Sequence, residues 1–138
     1  MVTLITGRKG EGKTKKLIEL TSRALEISKG NVVVIEKGPK LTFDISHKAR
    51  LIDVERYNIE GIDAFYGFVC GVCAGNYDAT DIFIESALKV CGDDMDVFSE
   101  FVEKVNTLAE KTDINITISV SADDSDIPNN LNSICNKL

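Results

Sequence analysis

The sequence lacks three features that would place it in a common class of protein. It has no basic excess, because 22 Asp and Glu outnumber 16 Lys and Arg, and general nucleic-acid binding needs a basic face. Its longest apolar segment, residues 64–75, is interrupted by three glycines and is too short to span a bilayer. Its first residues, MVTLIT, do not form a basic leader followed by an apolar stretch, as an export signal would. We therefore expect a cytoplasmic protein that binds neither nucleic acid nor a membrane.

Cysteine is also scarce, with four residues in the chain. Cys70 and Cys73 have the spacing of a redox or zinc half-site, but the sequence contains no second CxxC pair. Their apolar setting, AFYGFVCGVCAG, predicts a buried helix in which both thiols pack as small apolar groups. A redox or zinc role for the pair stays the less favoured alternative.

What the chain does contain is an alternation of strand-like and helix-like segments. Short apolar runs predict strands at residues 2–6, 31–36, 81–86 and 114–120. Apolar residues at helical spacing predict helices between these strands. We therefore expect a single domain, residues 1–138, with a three-layer α/β/α architecture and a mainly parallel sheet. A chain of 138 residues is within the usual size range of one domain.

Shorter segments carry weaker patterns. Residues 41–46 and 50–54 look like two short strands, which form either a hairpin or an addition to the sheet edge. Residues 130–138 can form a final short helix. The three aspartates within 93–96 precede an apolar helical stripe, and this predicts a helix start rather than a metal site. In the 114–120 strand every second residue is polar, which indicates a half-solvated or edge strand.

One stretch, GRKGEGKT at Gly7–Thr14, joins a predicted strand to a predicted helix, and we call it the glycine loop. The N-terminus of a helix leaves N–H groups without intrahelical partners and attracts anions. Glycines allow backbone angles that other residues avoid and let a ligand approach closely. In this spacing Lys13 can reach the β- and γ-phosphates of a nucleotide, and the Thr14 hydroxyl can ligate Mg²⁺.

This spacing resembles the Walker A motif, and the chain is similar in this respect to the P-loop NTPase superfamily. The resemblance implies a nucleoside triphosphate, with ATP as the default, and Mg²⁺ as cofactors. It also implies that the loop contacts the nucleotide through Gly7, Arg8, Lys9, Gly10, Glu11, Gly12, Lys13, Thr14 and Lys15. GTP is disfavoured, because the only Asn-Lys pair has no Asp after it and no Asp is followed by Gly three residues later.

The superfamily also carries an apolar strand that ends in an acid, and DIFIES at residues 81–86 fits that pattern. The resemblance implies that Glu85 supports the magnesium. Lys13 and Glu85 are then the catalytic candidates, and Thr14 and Glu85 are the metal ligands. In the branch similar to RecA, a Glu usually follows and polarises the attacking water. This chain has Ser86 there, and we therefore expect slow hydrolysis.

Several other side chains can be interpreted either as functional residues or as ordinary surface or strand-end residues. Ser119 or Ser121 could sense the γ-phosphate, although a polar residue at a strand end is the simpler interpretation. Arg50 and Arg56 could serve as arginine fingers across an oligomer interface, but any surface arginine could be named in this way. The only histidine, His47, lies in a polar stretch and is interpreted as a solvated loop residue.

The sequence thus predicts an ATP-binding P-loop protein with a RecA-like core, acting as a slow or partner-activated, Mg²⁺-dependent ATPase. One alternative is a non-hydrolysing nucleotide sensor that presents a surface to a protein partner; a homo-oligomer is also compatible. Another alternative is a small-molecule kinase, because the segment order after residue 86 resembles thymidine kinase cores without their zinc ribbon and lasso. Such a kinase would need a second pocket lined by residues 57–75.

Overall fold

The computed structural model describes residues 2–85 and 87–138. At its centre lies a six-stranded sheet in which each pair of neighbouring strands is parallel. The strands are β1 (Val2–Gly7), β2 (Asn31–Glu36), β3 (Arg50–Asp53), β4 (Ala79–Ile84), β5 (Asn115–Ser121) and β6 (Cys135–Lys137). Their order across the sheet is β3-β2-β4-β5-β1-β6. One strand, β5, therefore separates β1 from β4.

Helices cover both faces of this sheet. They are α1 (Lys13–Ile27), α2 (Ile62–Gly75), α3 (Leu88–Cys91) and α4 (Met95–Thr112). Helix α1 packs on one face together with residues 41–49, and α2, α3 and α4 pack on the other. This arrangement confirms the α/β class and is consistent with three layers. None of the helices in the described ranges combines the length and apolarity needed to cross a bilayer.

Strand β2 shows why a continuous apolar run predicts a central strand. Val33 and Ile35 are buried against the face that carries α2 and α4, whereas Val32 and Val34 are buried against α1. Because successive side chains of a strand point to opposite faces, only an apolar run satisfies both. The larger of the two cores includes Phe65 of α2 and Phe101 of α4, whose stacked rings have centroids 4.9 Å apart.

The prediction of a strand at residues 41–46 is wrong. These residues form turns, in which the Asp44 and Ile45 N–H groups both donate to the Leu41 carbonyl. Leu41 and Ile45 are buried on the α1 side of the sheet, so their apolar character reflects packing and not strand pairing. The hairpin is wrong as well, because β3 pairs with β2 in parallel. The alternative, an addition to the sheet edge, is confirmed for β3.

The prediction of a final helix at residues 130–138 is also wrong. A 3₁₀ turn at Asn129–Leu131 is followed by β6, which pairs in parallel with β1 at the sheet edge. The Leu138 N–H donates to the Leu4 carbonyl at 2.8 Å. A segment this short has little helical stability of its own, and the unpaired edge of β1 offers it ladder hydrogen bonds instead.

Strand β5 lies in the interior of the sheet, between β1 and β4, so the edge alternative for this strand is wrong. The half-solvated alternative fits it better. Asn115 is exposed and Thr117 is half-buried, and both line a cavity of about 410 Å³ beside α1. Ser119, further along the same face, is buried. Helix α1 therefore covers only the carboxyl-terminal part of β5, which explains the polar residues in a central strand.

Two smaller predictions are confirmed. The acidic residues at 93–96 do begin a helix, because the Asp94 carboxylate accepts hydrogen bonds from the Asp96 and Val97 N–H groups at the start of α4. The helix predicted around Cys70 and Cys73 is confirmed as α2, but it is buried on one face only: Cys73 is buried, Cys70 is half-buried, and both are free thiols. Burial is the larger cause that raises the pKa of Cys73, and the nearby Cys70 adds to it. A thiol shifted in this direction is a poorer nucleophile and metal ligand.

Candidate functional site

The glycine loop, the residue after β4 and the end of β5 meet at one edge of the sheet. Gly7, the last residue of β1, pairs in register with Ser121, the last residue of β5. Glu85 follows β4, the next strand across the sheet. Ligands of open α/β sheets bind outside the carboxyl ends of the strands, which is where these three residues lie.

The glycine loop has a fixed shape, held by contacts on its outer side. The Arg8 guanidinium forms a two-pronged ion pair with the Asp123 carboxylate, with N–O distances of 2.8–2.9 Å. This contact raises the pKa of Arg8 and lowers that of Asp123. The Glu11 carboxylate accepts a hydrogen bond from the Arg8 N–H at 2.5 Å. The Gly7 N–H donates to the Ala122 carbonyl at 2.9 Å, so the loop is attached to the segment that follows β5.

The inner side of the loop presents main-chain donors. Gly10 and Gly12 both have φ of +88°, a left-handed conformation that other residues adopt only with strain. Gly12 is the N-cap residue of α1, so no capping side chain accepts a hydrogen bond at this helix start. Among the described residues, none accepts a hydrogen bond from the N–H groups of Gly12, Lys13 or Thr14. A helix start whose N–H groups have no hydrogen-bond acceptor is suited to binding an anion.

The residues that carry these N–H groups lie beside a cleft of about 480 Å³. It is lined by Lys9, Gly10, Gly12, Lys13, Thr14, Lys40, Leu41, Glu85, Lys89 and Ser121. The cleft therefore brings together Lys13, Thr14 and Glu85, which the sequence predicted as one site. The Lys13 ammonium donates to the Arg8 carbonyl at 2.9 Å, so its side chain lies along the loop and can turn toward a ligand without breaking any contact in the core.

Four predicted contact residues do not line the cleft. Arg8 and Glu11 hold the loop from outside, Gly7 is half-buried at the end of β1, and Lys15 is exposed on α1. A direct contact between these residues and a nucleotide stays a prediction.

Glu85 is 6% exposed although it lies beside a cleft. Its N–H donates to the Ile35 carbonyl at 2.8 Å, which continues the pairing of β4 with β2 past the end of the strand. The carboxylate is thus carried by a backbone that the sheet holds in place. Ser86, the residue on which the prediction of slow hydrolysis depends, lies outside the described residues.

A second buried carboxylate, Glu36, lies at the end of β2, the strand next to β4. It is 2% exposed, and its Oε1 accepts hydrogen bonds from the Lys40 and Leu41 N–H groups, both at 3.1 Å. Burial raises the pKa of Glu36, the two N–H donors oppose that effect, and the charges of Asp53 and Glu85 add to it. Glu36 therefore fixes the turn that brings Lys40 and Leu41 to the cleft.

Two lysines of the cleft lining come from outside the glycine loop, Lys40 from this turn and Lys89 from α3. Contact with the Lys40 amine is the main cause that lowers the pKa of Lys89, and partial burial and the Lys9 charge also lower it. The nearby Glu85 carboxylate acts in the opposite direction. Lys9, Lys40 and Glu85 therefore all lie close enough to Lys89 to influence its charge.

Most of the other candidate residues lie outside this cleft, and Ser121 is the exception. Arg50 is exposed on edge strand β3 and His47 is exposed in a turn. Arg56 lines a different pocket, of about 350 Å³, together with Glu36 and Asp53. Ser121 lines the cleft, whereas the Ser119 side chain is buried and its carbonyl accepts a hydrogen bond from the Ala87 N–H at 3.2 Å. Of the two sensor candidates, Ser121 is therefore the better placed.

Sequence reasoning missed Glu36, Lys40 and Lys89. Glu36 had a usable signal, because NVVVIE repeats the pattern of DIFIE, an apolar run that ends in Glu. Nothing comparable distinguishes Lys40 or Lys89 from other lysines, since the sheet order alone brings them together.

The described residues contain no group of three or more His, Cys, Asp and Glu side chains arranged to hold a metal. Mg²⁺ in proteins is commonly held by one or two carboxylates together with substrate phosphates and water, and a buried carboxylate beside a hydroxyl fits that pattern. No family model and no curated protein matches this sequence.

Proposed function

We propose that this protein binds ATP with Mg²⁺ in the cleft, as a P-loop nucleotide-binding protein. The observation that carries the proposal is the glycine loop between β1 and α1, whose residues Gly12, Lys13 and Thr14 line the same cleft as the buried Glu85 carboxylate. Backbone donors at a helix start, an ammonium group and a hydroxyl suit a polyphosphate better than an uncharged ligand.

Each group in the cleft then has a role. The N–H groups at the start of α1 and the Lys13 ammonium would hold the phosphate oxygens. The Thr14 hydroxyl and the Glu85 carboxylate would hold the magnesium, which supplies charge neutralisation at the phosphates when bound. Catalysis of phosphoryl transfer would then depend on positioning and electrostatic stabilisation.

Slow or partner-activated hydrolysis is the activity we propose. Among the described residues that line the cleft, Glu85 provides the one carboxylate, and the proposed metal site already uses it. A general base must lie within hydrogen-bonding reach of the attacking water, directly or through one further water. A single-turnover assay should therefore show little release of phosphate without a partner, and fast release by the isolated protein would contradict this.

Nucleotide binding is tested by thermal unfolding with ATP, ADP, GTP or no nucleotide, each with Mg²⁺. At 100 times Kd a ligand stabilises the folded state by about 2.7 kcal/mol, so ATP should raise Tm clearly and more than GTP. Lys13→Ala should remove this rise while its ligand-free Tm stays close to the wild-type value, because Lys13 makes no buried side-chain contact in the described residues.

Lys16→Ala is the matched control. It removes a lysine that is exposed on α1 and is not among the residues lining the cleft, and the response to ATP should persist. If ATP leaves the Tm of the wild-type protein unchanged at millimolar concentration, the proposal is wrong.

A small-molecule kinase is a second candidate, because the structure has an opening within the segment that such a kinase would use. A groove of about 380 Å³ is lined by Ile52, Tyr57, Phe68, Gly71, Val72 and Asn76, and residues 57–75 supply four of these. Product analysis with γ-labelled ATP separates the possibilities. Label in free phosphate indicates an ATPase, label in a small organic product indicates a kinase, and intact ATP that stays bound indicates a nucleotide sensor.

A further inference from the structure

The cleft is lined by two lysines that do not belong to the glycine loop. We propose that Lys40 and Lys89 form an anion clamp, which holds the terminal phosphate of the bound nucleotide together with Lys13. This inference rests on the proposed function, and it assigns a role to two residues outside the glycine loop.

The first support is the concentration of charge. In the part of the chain that the structure describes, Lys9, Lys13, Lys40 and Lys89 line one cleft together with a single carboxylate, Glu85. The net charge of the chain is −6. An acidic protein that gathers four ammonium groups around one cavity presents a local field opposite in sign to its overall charge. Such a field favours a polyanion.

The second support is the position of the two lysines relative to each other. Both side chains line the cleft, and contact with the Lys40 amine lowers the pKa of Lys89, because like charges at short range repel each other. A phosphate group between them would accept a hydrogen bond from both and replace repulsion with attraction. The pair is therefore arranged for an anion.

The third support is that both lysines extend from a fixed backbone. Glu36, almost fully buried, accepts hydrogen bonds from the Lys40 and Leu41 N–H groups. The Lys37 ammonium donates to the Lys89 carbonyl at 3.2 Å, which links α3 to the same turn. The turn and α3 are thus joined, and two side chains from distant parts of the sequence are directed to one place.

The terminal phosphate is the occupant that we assign to the clamp, because the start of α1 already accounts for the phosphates before it. The N–H groups at the start of α1 would hold the phosphates that ADP and ATP share, and Lys13 would reach the β- and γ-phosphates. Lys40 and Lys89 would then add contacts to the group that only ATP carries. The clamp therefore predicts selectivity for ATP over ADP.

The test compares ATP and ADP binding by isothermal titration calorimetry, with Mg²⁺ held constant. The wild-type protein is compared with the double variant Lys40→Ala/Lys89→Ala. ATP affinity should fall at least about tenfold, because charge-assisted hydrogen bonds are worth that much or more. ADP affinity should change by less than about twofold. Lys48→Ala is the control, since it removes an exposed lysine that does not line the cleft.

The outcomes are distinguishable. A selective loss of ATP affinity that Lys48→Ala does not reproduce supports the clamp. An unchanged ATP affinity, or an equal loss for ATP and ADP, overturns the clamp and leaves nucleotide binding standing. If the wild-type protein binds neither nucleotide, the proposed function fails and the clamp fails with it.

Discussion

Glu36 shows how a single buried side chain can be needed for shape and still cost stability at neutral pH. Its carboxylate accepts hydrogen bonds from two main-chain N–H groups, which favours the charged form. Burial, together with the charges of Asp53 and Glu85, favours the neutral form more strongly, and the net effect raises the pKa of Glu36. The folded protein therefore binds a proton here more readily than the unfolded chain does.

A pH-dependent stability difference follows from this shift. An acid whose pKa is raised by folding contributes stability at low pH and loses it as pH rises from its ordinary value near 4.5 through the folded value. Glu36→Gln keeps an oxygen for the Lys40 and Leu41 N–H groups but cannot ionise. Urea unfolding at pH values from about 4 to 7 should show the wild-type free energy of unfolding falling relative to that of Glu36→Gln.

Two results would contradict this prediction. The difference in the free energy of unfolding between the wild type and Glu36→Gln could stay constant across this pH range, or it could change in favour of the wild type as pH rises. Glu36→Ala tests the acceptor separately. It leaves two N–H groups in a partly buried turn without their acceptor and, like Glu36→Gln, it cannot ionise, so it should be less stable than Glu36→Gln by about 1–3 kcal/mol at every pH.

At the scale of elements, the packing of α2 against α4 stabilises the face of the sheet that lies away from α1. Phe65 and Phe101 are both fully buried and stack across the two helices. Phe101→Ala should lower the free energy of unfolding by about 3–5 kcal/mol, because it removes a large side chain and leaves a cavity. Urea unfolding measures the loss, and Phe43→Ala is the control, since Phe43 is fully exposed.

The same variant separates the fold from the site. Phe101 lies in the core on the α4 side of the sheet, whereas α1, which begins at the end of the glycine loop, packs on the other side. If Phe101→Ala remains folded at low temperature, its Tm should still rise with ATP. A loss of the ATP response in a folded variant would mean that the two faces are coupled more tightly than their separate cores suggest.

The elements that sequence could predict are those whose pattern is complete within one segment. The run that forms β2 is apolar because both faces of that strand are covered, and that pattern is visible without the rest of the chain. In residues 41–46 and 130–138 the hydrophobic pattern is too short to predict the structure. The elements that pack or pair with these residues in the fold determine it instead. Leu41 and Ile45 pack under the α1 face, and β6 takes its partners from β1.

The candidate site divides in the same way. The glycine loop is contiguous, so its spacing predicts a function before any fold is known. Lys40 and Lys89 reach the cleft from the turn after β2 and from helix α3, which only the order of the sheet brings together. Two lysines that become neighbours in this way leave no signal in a single sequence.

For the whole molecule, the balance between global and local charge decides how an anion is attracted. The chain carries a net charge of −6, which repels a nucleotide, whereas the cleft presents four lysines and one glutamate, which attract it. At about 0.15 M salt the Debye length is about 8 Å. Distant acids are then largely screened, while charges in contact with the ligand are not, so the local charge should dominate.

Salt dependence tests this balance directly. Raising NaCl from about 0.15 M to 0.5 M shortens the screening length further and should weaken the binding of Mg²⁺-ATP, as measured by calorimetry at constant Mg²⁺. Lys40→Ala/Lys89→Ala should show a smaller dependence, because half of the lysines that attract the nucleotide are gone. Tighter binding at higher salt would show instead that the net negative charge governs the encounter. In that case the lysines of the cleft would matter for contact with the phosphates but not for their attraction from solution.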